Sequence, residues 1–323
     1  MYHNRTNMFF HGIMFHHFHD DKFHKKSQGS ITKDDFYKII KFIGRRKILN
    51  AEKFQEKLLE KKLKEDDVCI TFDDSVKSQI DVALPVLEDL KIKSFFFIYS
   101  SIFDKQPDNL EIFRYFRTNY FENIDMFYKL FFNFLNEDLS IFFKKNENII
   151  KEKKLKFPHY SISDIKFRLV RDKYLDKNRY EKTMIAIMKE KNFYPKKIYS
   201  KLFFSKKDLA NLNSLGHTIG LHSHSHPTRL ENLSYEEQRK EYKKNSQILS
   251  EVLNVSDTFI KSMSHPCGSY NSDTLKILKE MKIEIGFKQI MKIEKGRGME
   301  KINNSNFEVA RQDHAEIMRV LNK

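Results

Sequence analysis

The sequence predicts an α/β fold, namely a complete or partial (β/α) barrel with a helical insertion. The prediction depends on two features of the chain. First, short apolar runs alternate with segments of helical spacing before residue 101 and again after residue 200, an order typical of a parallel sheet. Second, polar residues suited to catalysis directly follow several of these runs, as they do at the carboxyl ends of barrel strands.

The apolar runs supply the predicted strands, and each run is short enough to be buried in a sheet. They cover residues 12–15, 68–72, 94–99, 218–221, 259–263, 283–287 and 307–310. Between them, apolar residues recur at helical spacing, as at Phe36, Ile39 and Ile43 behind the capping residue Thr32. The helices predicted in this way cover residues 33–45, 76–90, 235–253 and 273–281, and another ends at 210–215.

The stretch from about residue 101 to 200 departs from this alternation. It contains no glycine, and its apolar residues recur mostly at helical spacing, as at Phe127, Leu130, Phe131 and Phe134. We therefore predict one catalytic domain over residues 1–323 that carries a helical insertion at about residues 101–200. Such an insertion would cover the cleft and shape substrate access, while a structural appendage or a dimerisation surface is the alternative.

The chain carries 59 Lys and Arg against 44 Asp and Glu, a formal net charge of +15. This charge would attract phosphate-bearing molecules or an acidic membrane surface, although a bias of the composition toward Lys, Ile, Asn and Phe is the simpler explanation. The basic residues are spread along the chain without a block of interleaved aromatic residues, which argues against a nucleic-acid partner. A weak association with a membrane surface stays open.

The cysteine content and the start of the chain predict a cytoplasmic location. The two cysteines, Cys69 and Cys267, are too few for a disulfide framework and fit a reducing compartment. Residues 1–5 lead into a histidine-rich stretch and not into a continuous apolar run, so we expect no signal peptide. The longest apolar runs are too short, or too interrupted by charge, to span a bilayer.

Two polar clusters follow predicted strands and together suit a metal ion. Asp73 and Asp74 follow the run 68–72, and adjacent carboxylates at a strand end point in different directions, so one can bind a metal while the other acts as a base. His222 and His226 follow the run 218–221 four residues apart, which lets both imidazoles reach one cation while His224 points elsewhere. Two nitrogens and one carboxylate would hold a zinc-like ion and leave one position open for water.

A third cluster, His-Pro-Cys-Gly-Ser-Tyr-Asn at residues 265–271, follows the run 259–263. A proline followed by a glycine-containing turn fixes a loop, which can direct a backbone N–H at a developing oxyanion. In this order the three clusters resemble the motifs of the NodB-homology polysaccharide deacetylases, carbohydrate esterase family 4. The resembling segments are Thr-Phe-Asp-Asp at 71–74, His-Ser-His-Ser-His at 222–226 and Pro-Cys-Gly-Ser-Tyr-Asn at 266–271.

The resemblance implies a role for each matched residue. Asp73 would be the general base, and Asp74, His222 and His226 would bind one divalent metal ion, which we expect to be Zn²⁺. The backbone N–H of Cys267 would contribute to the oxyanion hole. The segment Met-Phe-His-His at 14–17 also resembles the family's first strand. Substrate contacts are expected from His16, His17, Pro266 and Tyr270.

One departure from the family pattern concerns the charge that orients the base. Many members carry an arginine two residues before the proline of the third motif, where this chain has Ser264. Arg311, which follows the last predicted strand, is the candidate replacement, and Asp313 lies two residues further on. A milder departure is Ser75, which stands where many members have glycine after the aspartate pair.

A second departure concerns the general acid, because the family's late Leu-x-His motif is not visible. His314 is the candidate acid, and a surface residue at the start of the last helix is the alternative interpretation. His16 or His17 is the next candidate.

The resemblance thus implies a metal-dependent hydrolase that removes an N-acetyl or other acyl group from an amino sugar. Since no export signal is expected, the expected substrate is a cytoplasmic nucleotide- or lipid-linked intermediate of surface glycan synthesis. Two alternatives stay open. One is an amidase of the same fold that acts on a small non-sugar amide, and the other is a non-catalytic sugar-binding or assembly protein.

Overall fold

The computed structural model describes residues 10–156, 160–256, 258–289 and 305–322. The expectation about a signal peptide concerns residues 1–5, which lie outside these ranges. The strands of the described residues are β1 (Gly12–Phe15), β2 (Cys69–Phe72), β3 (Phe95–Ile98), β4 (Thr218–Leu221), β5 (Ser262–Ser264), β6 (Ile285–Phe287) and β7 (Arg311–Asp313). The helices of the same ranges are α1 (Lys33–Ile43), α2 (Ala51–Leu59), α3 (Leu84–Asp89), α4 (Asn109–Asn119), α5 (Ile124–Leu135), α6 (Ser140–Lys145), α7 (Glu147–Lys156), α8 (Ile162–Leu169), α9 (Lys177–Glu190), α10 (Tyr199–Leu202), α11 (Lys206–Ser214), α12 (Tyr235–Leu253), α13 (Ser272–Glu280) and α14 (His314–Leu321).

The strands form one parallel sheet in the order β6-β5-β4-β3-β2-β1-β7. The two edge strands approach each other because Phe287 of β6 forms a parallel bridge with Val309, just before β7. The sheet is therefore a nearly closed barrel surrounded by helices, and the predicted (β/α) barrel is confirmed. All the strands run in one direction, so their carboxyl ends meet at one mouth of the barrel.

The opposite end of the barrel is filled with apolar side chains. Helix α2 contributes Ala51, Phe54 and Leu58 to a buried cluster with residues near the amino ends of the strands, among them Cys69 and Phe95. The cluster gives this end of the barrel an apolar lining. The residues suited to catalysis lie at the other mouth, where the strands end.

Residues Asn109–Tyr199 form a compact unit of their own, and Met1–Asp108 with Ser200–Lys323 form the other unit. The helical unit contains α4 to α9 and has an aromatic core in which Phe127, Phe131 and Phe167 contact one another. Within it, the Tyr128 hydroxyl donates a hydrogen bond to the buried carboxylate of Asp164. The single catalytic domain over residues 1–323, with its insertion at about 101–200, stays a prediction.

The last predicted strand is wrong in its position. Residues 307–310 were expected to form it, but only Val309 makes an isolated bridge, and β7 comprises Arg311–Asp313. A short apolar run in the sequence indicates a buried strand, but a buried strand is not always apolar. The residues of β7 are polar and nevertheless buried, namely Arg311, Gln312 and Asp313. Inside the barrel the charge of Arg311 is balanced by the carboxylate of Asp73.

Among the described residues, none of the helices combines the length and the apolar character that a membrane span requires.

Candidate active site

Asp73 and Asp74 leave β2 at the mouth of the barrel and face different partners. Asp73 is buried, whereas the Asp74 side chain keeps about 15% of its surface exposed. The backbone reverses sharply here, because Asp74 and Ser75 both have positive φ angles, 70° and 55°. Such left-handed backbone is uncommon for residues other than glycine and often marks functional sites. The turn explains how two consecutive carboxylates reach separate environments.

The guanidinium of Arg311 donates a hydrogen bond to each oxygen of the Asp73 carboxylate. Its Nη1 donates to Oδ1 at 2.7 Å and its Nη2 to Oδ2 at 2.7 Å, the two-pronged arrangement that suits a guanidinium and a carboxylate. Ser264 also donates to Oδ2 at 3.1 Å and accepts from Nη2 of Arg311 at 2.8 Å. The arginine expected at position 264 by resemblance is thus replaced by a serine that cooperates with an arginine from β7.

Burial alone would raise the pKa of Asp73, but the Arg311 charge opposes it, aided by His222 and His16. The pKa of Asp73 is therefore below its usual value. The carboxylate stays ionised at neutral pH, as a proton acceptor must. Arg311 and Ser264 occupy three of about four lone-pair sites of the carboxylate, which leaves one site on Oδ1.

The guanidinium of Arg311 is fully engaged inside the barrel. Its remaining N–H groups donate to the hydroxyl of Thr71 and to the carbonyl of Lys288, each at 3.2 Å. The space for this side chain comes from Gly12 on β1, since a Cβ atom there would lie 2.5 Å from Cγ of Arg311. The fit of Gly12 to Arg311 is a feature that only the folded chain reveals.

Asp74, His222 and His226 form a group that could hold a metal ion. One ligand atom from each lies within 4.8 Å of the others, and Oδ1 of Asp74 is 3.3 Å from Nε2 of both histidines. Nδ1 of His222 donates to the carbonyl of Ser264 at 2.8 Å, which leaves its Nε2 as the lone-pair atom that faces Asp74. Two imidazole nitrogens and one carboxylate oxygen match the donor set of a catalytic zinc site.

The pKa of Asp74 is well below its usual value. Burial would raise it, but the nearby His16 and the close contacts of the carboxylate with His222 and His226 outweigh burial. An ionised carboxylate is the form in which aspartate binds a cation.

The middle histidine of the second motif takes no part in this group. Nδ1 of His224 lies 3.0 Å from the hydroxyl of Ser100, and its Nε2 lies 3.8 Å from Asp104. The prediction that His224 points elsewhere is therefore confirmed.

His16 is the histidine that lies close to both carboxylates at the mouth of the barrel. Its Nε2 lies 3.8 Å from Oδ2 of Asp74 and 4.0 Å from Oδ2 of Asp73, and its side chain is 18% exposed. His17 stacks beside it with ring centroids 5.9 Å apart. His16 thus has the reach and the solvent access that a proton donor at this site needs.

His314 is placed differently from what its candidate role as acid requires. It is buried at the start of α14 and not on the surface, and it stacks on Phe15. Its Nε2 lies 2.8 Å from the carbonyl of Gly29 and its Nδ1 3.3 Å from the carbonyl of Met14. Among the described residues its polar contacts are with these carbonyls and Asp313, so His314 is not brought to the aspartate pair. Asp313 itself caps α14 by accepting from the backbone N–H of Ala315.

The third motif forms a tight turn, Pro266–Gly268, directly after β5. Cys267 has left-handed backbone with a φ of 53°, and the N–H groups of Gly268 and Ser269 close the turn onto the carbonyls of His265 and Pro266. The role of the Cys267 N–H as an oxyanion donor stays a prediction. The Tyr270 hydroxyl donates to Glu308 at 2.8 Å. The contact of Tyr270 with substrate also stays a prediction.

Gln79 is a site-supporting residue that the sequence did not indicate. The predicted helix 76–90 begins with a π-helical turn, Gln79–Ala83, before α3. From this turn the Gln79 side chain donates to the carbonyls of His16 and Asp73, at 2.9 and 2.5 Å. It therefore ties the end of β1 to the end of β2. A glutamine in an amphipathic helix carries no sequence signal for such a role.

The geometry can be compared with a known family. The family model for polysaccharide deacetylases matches residues 60–117 and 172–286, which is more than half of the chain.

The chain belongs to the polysaccharide deacetylase family.

Membership confirms the predicted family and the prediction of a deacetylase-type hydrolase, and it implies an acetylated carbohydrate as the class of substrate. The family is generally metal-dependent, in keeping with the Asp-His-His group. Strand β1 with His16 and strand β7 with Arg311 lie outside the matched segments, so their contribution to the site is evident only from the structure. No curated protein matches the chain at a significant level.

Three solved structures share the fold along most of its length. The deacetylase PplD of Streptococcus pyogenes, solved in complex with acetate, is 15% identical, with a TM-score of 0.53 over 95% of this chain and 93% of that one. IcaB from Ammonifex degensii is 12% identical, with a TM-score of 0.53 over 94% and 91%. A de-N-acetylase from Aggregatibacter actinomycetemcomitans is also 12% identical, with a TM-score of 0.53 over 93% of both chains. At these identities the likeness establishes the fold.

Proposed function

We propose that this protein is a zinc-dependent N-deacetylase that hydrolyses the acetamido group of an amino sugar. The observation that carries the proposal is the pairing of two sites at one barrel mouth. An ionised Asp73 held by Arg311 lies directly beside the donor group of Asp74, His222 and His226. A proton acceptor next to a cation site is what hydrolysis of an unactivated amide needs.

Each residue has a distinct task in the proposed reaction. Asp74, His222 and His226 would hold one Zn²⁺ ion, which when bound lowers the pKa of water and polarises the amide carbonyl. Asp73 accepts the proton of the attacking water, and Arg311 keeps the carboxylate oriented and ionised. The N–H of Cys267 would donate to the oxyanion.

The leaving amine needs a proton, because an amide anion is a very poor leaving group. We assign this task to His16, whose Nε2 lies within 4.0 Å of both aspartates. His314 is the weaker candidate, since its ring nitrogens face the carbonyls of Gly29 and Met14.

The proposal extends to the carrier of the sugar and to the location of the reaction. A nucleotide- or lipid-linked intermediate of surface glycan synthesis, processed in the cytoplasm, suits the net charge of +15 because the phosphates of either carrier are anionic. A content of only two cysteines, Cys69 and Cys267, fits a reducing compartment. A weak association with acidic membrane surfaces belongs to the same proposal.

The direct test is acetate release from a panel of N-acetylated compounds with the purified zinc-loaded protein. The panel holds free amino sugars, nucleotide-linked and lipid-linked forms, and small non-sugar amides. We expect acetate from at least one sugar and none from the non-sugar amides. Release from non-sugar amides alone would favour the amidase alternative, and binding of sugars without any release would favour the non-catalytic one.

Asp73→Asn is the companion variant. It removes the proton acceptor but keeps the shape of the side chain, so we expect turnover to fall by at least about 100-fold while one zinc ion per chain is retained. Zinc content is measured by atomic emission on the same samples. Normal turnover in this variant would overturn the assignment of Asp73 as the base.

A further inference from the structure

Helix α12 faces the loop that carries the two histidines with two polar side chains, Glu241 and Asn245. The residues are four apart, so they lie one turn apart on the same face of the helix. Asn245 is fully buried, and Glu241 is half-buried. We call residues 222–226 the histidine loop.

Asn245 fixes the point at which the chain leaves β4. Its Oδ1 accepts from the backbone N–H of His222 at 3.0 Å, and its Nδ2 donates to the carbonyl of Ile98 at 2.9 Å. One side-chain amide therefore joins the last residue of β3 to the first residue after β4, which only a group that is both donor and acceptor can do.

Glu241 holds the middle of the same loop. Its Oε2 accepts from the backbone N–H groups of His224 and Ser225, at 3.0 and 2.7 Å, and its Oε1 accepts from the Ser225 hydroxyl at 2.8 Å. Hydrogen bonds to a carboxylate are about twice as strong as neutral ones. Both oxygens are directed at the loop, so Glu241 is no metal ligand itself.

The histidine loop needs such support because its backbone is strained. Ser223 and His226 have φ angles of 62° and 57°, in the left-handed region that disfavours residues other than glycine. Such backbone is energetically unfavourable and persists only when its surroundings hold it in place. A relaxed loop would carry the His226 ring away from its position 3.3 Å from Asp74.

We propose that Glu241 and Asn245 are positioning residues that hold the histidine loop in the shape in which both imidazoles face Asp74, and that they thereby set the affinity for the metal. This inference deepens the proposed function and rests on its metal site. The helix contributes no ligand, and it acts only through the loop.

The test measures zinc affinity by competition with a chromophoric chelator. Outer hydrogen-bond partners of metal ligands are typically worth 10- to 100-fold in affinity, and we expect a loss of this size in both Glu241→Ala and Asn245→Ala. Glu241→Gln, which keeps an acceptor oxygen, should recover most of the affinity. Glu251→Ala is the matched control, because Glu251 lies on the same helix, is exposed, and has a side chain that accepts from the Gln247 amide.

Two further measurements separate positioning from mere structural support. The visible absorption spectrum of the Co²⁺-loaded protein reports the coordination geometry, and we expect it to change in Glu241→Ala but not in Glu251→Ala. Thermal unfolding of the metal-free variants reports the stability of the fold itself. Should Glu241→Ala fail to fold, Ser225→Ala, which removes only the bond from the Ser225 hydroxyl, should still weaken zinc binding measurably.

The outcomes are distinguishable. If the parent protein binds neither zinc nor cobalt, the proposed metal site is wrong and this inference falls with it. If the parent binds zinc but the Glu241 and Asn245 variants bind it equally well with an unchanged cobalt spectrum, the positioning role is wrong while the proposed function stands. Lower stability of the metal-free variants with unaltered affinity is the same negative result.

Discussion

Asp73 and Asp74 show how two identical neighbours acquire different chemistry. Asp73 is enclosed and held by the Arg311 guanidinium, whereas Asp74 faces the imidazoles of His222 and His226. The pKa of each carboxyl is lowered despite burial, in one case mainly by an arginine and in the other mainly by histidines. A residue's role here depends on which partner its side chain reaches after the turn.

Arg311→Gln should shift the pH dependence of acetate release. Without the guanidinium, burial of Asp73 is opposed by the histidines and the Ser264 hydroxyl, so its pKa rises and the acidic limb of the rate profile moves to higher pH. We expect at least a tenfold loss of kcat/KM at neutral pH, measured from pH 4 to 9. Arg311→Lys, which keeps the charge but not the two-pronged contact, should fall between this variant and the parent.

The ion pair of Arg311 and Asp73 also stabilises the fold, and this stabilisation depends on pH. Because the pKa of Asp73 is lowered on folding, its stabilisation is present above the pKa of unfolded aspartate, about 4, and is lost as the pH falls through the lower folded value. Breaking a buried pair from one side costs about 3–5 kcal/mol, so Arg311→Gln should lower the free energy of urea unfolding by this order at pH 7. An unchanged acidic limb with this loss of stability would make Arg311 purely structural.

At the level of single residues, the sequence predicts one group of metal ligands, Asp74, His222 and His226. Their ligand atoms lie within 4.8 Å of one another. Their function as ligands stays a prediction. The choice between His314 and His16 was not decidable from the sequence, because both are histidines next to predicted strands. Their different surroundings arise from contacts with Gly29 and with the aspartates, which are distant along the chain.

At the scale of elements, β7 and β1 together form the wall that orients the base. Arg311 on β7 is paired with Gly12 on β1, and the missing side chain at Gly12 provides the room for the arginine. A strand with the sequence Arg-Gln-Asp is not recognisable from an apolar pattern. The pairing to β1 makes it a strand.

Gly12→Ala should therefore disturb the site through Arg311. The added Cβ would lie 2.5 Å from Cγ of Arg311, and overpacking of this kind typically costs about 1–3 kcal/mol. We expect a lower free energy of unfolding by urea, together with a lower kcat, because the guanidinium is displaced from Asp73.

A double-mutant cycle with Arg311→Ala provides the control. In the Arg311→Ala background Cγ and Cδ of Arg311 are absent and Phe287, at 3.3 Å, is the contact that remains of the three nearest, so the added methyl group should cost much less than in the parent. Equal costs in both backgrounds would show that the contact between Gly12 and Arg311 is not the cause.

For the whole molecule, zinc should stabilise the fold. A ligand that binds only the folded state adds about 2.7 kcal/mol at a free concentration 100 times its dissociation constant. We expect chelator-treated protein to unfold at a lower temperature and to recover on addition of zinc, as measured by calorimetry. Asp74→Ala, which lacks one predicted ligand, should show no such recovery, and a full recovery would exclude Asp74 as a ligand.

The net charge of +15 makes a prediction about the carrier of the substrate. If the protein attracts a phosphate-bearing substrate, KM for a nucleotide-linked sugar should rise several-fold between about 50 and 500 mM NaCl, because salt screens the attraction. KM for a free N-acetylated amino sugar should hardly change. Equal responses of the two substrates would make the charge irrelevant to recognition.

The sequence by itself determined the barrel, its first and fourth strands to the residue, and the three clusters at its mouth. It could do so because strand and helix periodicity and short motifs are local signals. Tertiary structure alone decided that Arg311 reaches Asp73, that Gly12 makes room for it, and that His16 and not His314 joins the aspartates. These contacts join residues up to 300 positions apart, and their partners are set by how the sheet closes into a barrel and not by neighbouring sequence.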